Sequence, residues 1–253
     1  MTEAELLSHI EDGTGVPAKR GHPTYYDAGG PIHPTVPVDY DEERLTAVGS
    51  VLGEPDFTYH PALGLPHIDL HRYPATVDRP FTCYVTSGMS DFPTILRDGS
   101  SIRVELVACT ARGDYDHDIN SPGSISMVMR YASLYPFLQQ TGINYYHVIE
   151  LPQEYHPYWG KRVLLIPPFL LNDLAFLPLK GQKVHLLGMI RISDNDFSVL
   201  TARGPEALFE SWRETLETWL FDTENRAPFI LRSIQPPPVR KPLGLLGRLF
   251  GRK

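Results

Sequence analysis

Apolar and polar positions recur in two rhythms along this chain, and each predicts its own elements. A helical period comes first. Leu45, Val48 and Leu52 share one face of DEERLTAVGSVL, Asp39 or Asp41 can cap it, acids fill its first turn, and Gly53 and Pro55 follow, which predicts a helix over 41–52. Short runs of β-branched and aromatic residues between prolines and glycines predict strands at 56–60, 67–73, 80–87 and 102–109. The links between them are short enough for antiparallel neighbours. A polar loop follows at 110–123. A helix is then predicted over 124–140, with Ile125, Val128, Met129, Ala132 and Tyr135 at helical spacing and Pro136 expected to kink or end it. Further strands are predicted at 145–151, 162–167 and 183–192, and a short helical turn at 194–202. The clearest helix is 205–221. Pro205 suits its first turn, and Leu208, Trp212, Leu216, Trp219 and Leu220 form a stripe expected to face the core.

The two ends read differently. Residues 3–10 can form a short helix, but 13–40 are rich in Gly, Pro and Tyr without a period. Pro236, Pro237 and Pro238 make a stiff spacer before a basic, glycine-broken tail. The chain therefore divides into an irregular arm (1–39), a folded domain (40–235) and a spacer with a flexible tail (236–253). No run of about 18 apolar residues occurs, so no membrane span is expected. The opening MTEAELLSHIED lacks the basic start and apolar core of a signal peptide, which leads to the expectation of a cytoplasmic protein.

Charge is uneven. The net charge is −7, and Arg240, Lys241, Arg248, Arg252 and Lys253 all lie in the tail, so the remaining body carries −12. An acidic body argues against nucleic acid, which needs clustered Lys and Arg, and suits a basic protein partner. Cys83 and Cys109 are the only two cysteines, too few for a disulfide framework, and are expected to be buried and reduced.

Three patterns invite chemistry. His67, Asp69 and His71 fall at i, i+2 and i+4 of a predicted strand, so they point one way and could hold zinc or iron for a metal-dependent hydrolase, with His60 or Glu105 as a further ligand. The competing expectation is ordinary alternation, with Ile68 and Leu70 in the core and the polar three facing solvent or neighbouring strands. Ser87-Gly88-Met89-Ser90 follows a strand, but the order does not match the Gly-x-Ser-x-Gly nucleophile elbow; Gly88 is expected to supply a bend and Asp91 a turn hydrogen bond. Asp114, Asp116, Asp118 and Asn120 alternate like a calcium loop yet lack its sixth-position Gly and twelfth-position Glu. Leu243, Leu246 and Phe250 among the tail's positive charges could touch an anionic membrane, as in a peripheral membrane adaptor, although three glycines weaken a helix there. No strong catalytic or cofactor signature emerges, and no cofactor is expected.

Several of these segments, taken in order, resemble the suppressor of fused domain family. His67-Ile68-Asp69-Leu70-His71 and Val85-Thr86-Ser87-Gly88-Met89-Ser90-Asp91 carry most of the resemblance. Arg103-Val104-Glu105-Leu106, Tyr131, Tyr135-Pro136, Arg162-Val163-Leu164-Leu165, Val184-His185-Leu186-Leu187, and Asp222 with Arg226 extend it over about residues 40–235. Ile192-Ser193-Asp194-Asn195-Asp196 departs from the family's Glu-rich turn. The resemblance implies an α+β fold with a mixed, largely antiparallel, curved sheet flanked by helices, and protein binding without catalysis. Animal members hold a transcription-factor peptide, partly as an added strand, and bacterial members accompany polymorphic toxin systems as immunity-like proteins. The bacterial, single-domain type is the closer expectation. The partner would be a cognate toxin or a peptide segment at a sheet edge, with Ser87, Gly88, Met89, Ser90 and Asp91 as the protein-binding residues.

Overall fold

The elements follow the predicted pattern closely in the middle of the chain. A computed structural model describes residues 26–27, 30–31, 41–60, 67–96, 99–111, 121–139, 141–171, 174–212 and 216–222. Tyr26–Asp27 (β1) and Gly30–Pro31 (β2) form a small antiparallel ladder. Helix α1 spans Asp41–Leu52, followed by β3 (Phe57–Tyr59), β4 (Asp69–Tyr73), β5 (Thr82–Ser87), β6 (Thr94–Ile95) and β7 (Ser101–Thr110). Then come α2 (Ile125–Gln139), β8 (Val148–Glu150), α3 (His156–Trp159), β9 (Arg162–Ile166), β10 (Phe176–Leu179), β11 (Gln182–Ile192) and α4 (Asp194–Ser211). The expected helix at 3–10, the acidic stretch at 114–120, Arg226, the proline spacer and the basic tail lie outside the described residues.

Nine strands make one sheet ordered β3-β4-β5-β7-β11-β9-β8, with β6 on β7 and β10 on β11. Every pairing is antiparallel except β7 with β11, which run parallel from Arg103↔Val184 to Val107↔Gly188. A parallel pair needs a long crossover, and α2, β8, α3, β9 and β10 are strung along it. The fold is thus the mixed, mostly antiparallel α+β architecture that the resemblance implied.

Register places odd residues opposite odd: Asp69↔Ser87, His71↔Val85, Cys83↔Cys109 and Val85↔Val107. Side chains alternate across a strand, so the two faces of these strands join separate cores. On one, Leu70, Tyr84, Leu106 and Ala108 pack with Ile125, Val128, Met129 and Ala132 of α2. On the other, Tyr73, Cys83, Val85, Val107 and Cys109 pack with Val48 and Leu52 of α1. Because α1 covers this second face, the polar residues that alternate there are not solvated. Asp69 is 6% and His71 4% exposed, and only His67 of the three is exposed, so of the two expected settings for the polar three, solvent fits His67 alone, while His71 meets Thr58 of the neighbouring strand at 3.0 Å.

Three further differences have local causes. The helical turn expected at 194–202 and the helix expected at 205–221 are the two halves of α4, and the second half ends at Ser211 rather than at 221. Ser193 caps α4, accepting from the Asp196 N–H at 3.1 Å, while Asp196 accepts from the Ser193 N–H at 2.9 Å. Gly204 (φ 85°, ψ 174°) breaks the helix internally before Pro205, and Trp212 turns extended so that its indole N–H reaches Asp196 at 3.0 Å. The stripe still points inward, with Leu208, Trp212 and Leu220 buried. Of the two effects expected of Pro136, kinking or ending α2, ending is excluded: the helix runs three residues beyond it. Strand β10, which is not among the predicted strands, contains Pro178 and pairs among the described residues with β11 alone; an edge strand tolerates the missing N–H.

Candidate functional site

The turn after β5 is built into the sheet. Strand β7 pairs with β5 through Val107–Thr110 and with β6 through Ser101 and Ile102. The stretch between, Arg103–Leu106, is met by the turn itself. The Leu106 N–H donates to Thr86 Oγ1 at 2.8 Å, and Arg103 Nη1 donates to the carbonyls of Ser90 (2.5 Å) and Asp91 (2.8 Å). Gly88 makes this seat possible. Its φ is +128°, and a Cβ there would lie 2.0 Å from the His67 carbonyl oxygen, a clash with main chain that no side-chain rotation relieves.

Glu105 sits at the centre and is fully buried. Its Oε1 accepts from the Gly88 N–H (3.0 Å), the Ser90 N–H (2.9 Å) and the Ser90 hydroxyl (2.7 Å), and its Oε2 from the Thr86 hydroxyl (2.7 Å). Arg44 of α1, 2% exposed, closes the network from above. Its guanidinium donates to Ser87 Oγ (2.9 Å), Ser90 Oγ (3.0 Å) and Asp91 Oδ1 (2.6 Å), and Nε stands 3.7 Å from Glu105 Oε1. The Ser87 hydroxyl donates onward to Asp41 at 2.7 Å. Burial pushes the Glu105 carboxyl above its ordinary value, against the pull of Arg44 and of the Ser90 and Thr86 hydrogen bonds. Burial acts against charge on Arg44 too, but Glu105, Asp91 and Asp41 outweigh it and hold its pKa up.

This arrangement rigidifies more than it activates. Ser87 and Ser90 each give their proton to a carboxylate and receive a guanidinium donor, so their lone pairs face a cation. Of the five expected binding residues, Ser87, Gly88, Met89 and Ser90 are buried, and Asp91 is the partly exposed one, its side chain 18% accessible. They form a braced turn that fixes the surrounding surface.

HIDLH divides into two overlapping groups that share Asp69. His60, His67 and Asp69 have donor atoms within 4.8 Å of one another, as do Asp41, Asp69 and His71. His67 and His71 do not share a group. Arg44 is the residue that sequence reasoning passed over. It precedes Val48 by one helical turn and so lies on the buried stripe, the signal that a core charge was present. The other mark was Glu105, at an odd position of β7 in line with Val107 and Cys109.

The two outermost strands of the sheet path are β3 and β8. Among the described residues β3 pairs with β4 alone, leaving an open edge of Phe57, Thr58 and Tyr59 two strands from the braced turn, flanked by exposed Glu54 and Asp56. An edge of this kind presents unpaired backbone groups to another chain.

Comparison with known proteins follows the same segments. The family model described as "Suppressor of fused protein (SUFU)" matches residues 64–226. Among curated proteins no sequence match was found. Among solved structures, the chain is similar to a chain of the Sufu-Fu complex, with TM-score 0.54, 15% identity and coverage of 75% of this chain and 93% of that one. It is similar to a suppressor of fused homologue from Neisseria gonorrhoeae, with TM-score 0.54, 16% identity and coverage of 77% and 98%. It is also similar to Drosophila Suppressor of Fused, with TM-score 0.54, 16% identity and 75% coverage, and spans 51% of that longer chain. At such identities the likeness is one of fold.

Proposed function

Since this chain belongs to the suppressor of fused family, a family of protein-interaction domains, we propose that it works by binding rather than catalysis, as an immunity-type inhibitor that neutralises a cognate toxin or other basic protein partner. The observation that carries this reading is the open β3 edge of a sheet braced, two strands away, by the turn that Arg44 and Glu105 hold rigid. A partner segment added to Phe57–Tyr59 gains backbone hydrogen bonds, and side chains next to the edge choose its sequence. In this reading Ser87, Gly88, Met89, Ser90 and Asp91 serve the interface by holding the sheet that carries it, and Asp91 is their partly exposed member. The acidic body adds attraction: excluding the tail it carries −12, which speeds encounter with a positively charged partner.

The test is co-expression with the product of the adjacent gene. The expected outcome is a complex that survives purification and restores growth where that product alone is toxic. Failure both to co-purify and to rescue overturns the inhibitor reading and leaves the fold assignment untouched.

A further inference from the structure

The mouth of the β3–β4 connection holds a second polar cluster, which shares no residue with the Arg44–Glu105 network and adjoins it through Asp41. His60 follows the last residue of β3, and His67 precedes Asp69, the first residue of β4, by two positions. His60 Nδ1 lies 3.0 Å from Asp69 Oδ2, and His67 Nε2 lies 2.9 Å from Asp69 Oδ1. Asp69 is 6% exposed, yet its Oδ1 makes no hydrogen bond: the His67 nitrogen is near enough but off the line that one requires. A second buried atom beside it also has no partner. It is His71 Nε2; the histidine offers one ring nitrogen within 4.8 Å of an Asp69 oxygen, and its Nδ1 meets Thr58 Oγ1 at 3.0 Å.

An unsatisfied buried carboxylate oxygen is costly, and nitrogen atoms placed beside it with poor hydrogen-bond geometry do not repair it. A cation does. It accepts lone pairs from ring nitrogens and oxygen together and needs no N–H directed at the carboxylate. Ligand bonds of about 2.0–2.2 Å place neighbouring donor atoms roughly 3.3–3.6 Å apart in a tetrahedral site. The two nitrogens already stand 3.0 and 2.9 Å from one Asp69 oxygen each, and one donor atom from each of the three residues lies within 4.8 Å of the others. Two imidazoles and one carboxylate suit zinc and its first-row neighbours and do not suit calcium or magnesium, which prefer oxygen ligands.

We infer that His60, His67 and Asp69 form a zinc-class divalent cation site, with Nδ1, Nε2 and a carboxylate oxygen as ligands and a fourth position open to water. The site ties the end of β3 to the start of β4 and so clips the sheet's outer strand. Gly88 supports it, because the His67 carbonyl sits where a side chain at position 88 would go. The inference rests on this geometry and not on the binding role proposed above.

The experiment uses the purified full chain, stripped with a chelator and titrated with zinc chloride alone, followed by calorimetry, with cobalt(II) absorption as a second readout. His60 and His67 have side chains 65% and 43% accessible, so the His60→Ala/His67→Ala variant retains the fold. The expected result is one zinc per chain, a thermal midpoint raised by zinc, and affinity about ten-fold or more weaker in that variant. Asp69→Asn should weaken binding likewise, and His185→Ala should not change it. No saturable binding, unchanged binding in the double-histidine variant, or displacement by excess magnesium would each overturn the assignment.

Discussion

Removing Arg44 is the sharpest perturbation this structure offers. Arg44→Ala takes away the donors to Ser87, Ser90 and Asp91 and the one cation beside Glu105 in the network. Glu105 keeps three hydrogen bonds on Oε1 and one on Oε2, but all four come from neutral groups. Breaking a buried ion pair from one side costs about 3–5 kcal/mol. In a domain of this size each kcal/mol lowers Tm by about 2–4 °C, so a fall of roughly 6–20 °C is expected. Glu105→Gln should be milder, at about 1–2 kcal/mol, because its amide oxygen can keep the three Oε1 donors and its NH2 can donate to Thr86 Oγ1. The double variant should cost less than the sum of the two. The pH dependence has a definite sign. A carboxyl whose folded pKa is raised contributes stability below its unfolded value of 4.5, and that contribution is lost as pH rises through the folded pKa. Removing Arg44 raises the folded value further, so the Arg44→Ala deficit should be smallest near pH 4 and grow toward neutrality. Urea unfolding across this range measures it. A deficit under about 1 kcal/mol at pH 7, or one that grows on acidification, would refute the view that a charged Arg44–Glu105 pair braces the turn.

Three other outcomes follow from the same structure. Gly88→Ala should cost roughly 3 kcal/mol or more in urea unfolding, since φ +128° and the His67 carbonyl both exclude a Cβ; a loss under about 1 kcal/mol would show that the turn has room to move. Cys83 and Cys109 are free and buried with their sulfurs 3.6 Å apart, and the hydrogen bond to Cys83 together with burial pushes the Cys109 thiol well up. Both should resist a disulfide reagent in native buffer and react together in denaturant, whereas one fast native thiol would contradict this packing. Ser193→Ala removes the cap of α4 and should cost about 1 kcal/mol by thermal unfolding, with no change meaning that the Trp212–Asp196 bond alone holds the helix start.

Much of the sheet was legible because its central strands are simple. Thr82–Ser87, Ser101–Thr110 and Gln182–Ile192 are β-branched runs between clear breakers, and the structure shifts their bounds by one or two residues. The end of the last long helix was not legible, because Trp212 leaves helical geometry for a tertiary partner, Asp196, that helical periodicity does not reveal. Its beginning was legible, as the turn at 194–202 and the restart at Pro205 match its two halves on either side of Gly204, and Ser193-x-x-Asp196 is a capping box. For the site, Ser87–Asp91 was recognised as a turn, but its burial was not, because burial depends on α1 folding over that face. Arg44 and Glu105 lie 61 positions apart and meet only through that packing. The histidines were visible as a strand pattern. Their division into two groups around Asp69 depends on His60 arriving from the neighbouring strand and Asp41 from α1.

The central claim is that this chain binds a protein through the open β3 edge. Calorimetric titration of the purified chain with the product of the adjacent gene tests it most directly, run in parallel with a Phe57→Lys variant whose added charge blunts the edge. The account predicts a saturable complex with the wild-type chain and about ten-fold or greater weakening in a variant that melts at the same temperature. No complex, or equal affinity for both chains, would contradict it.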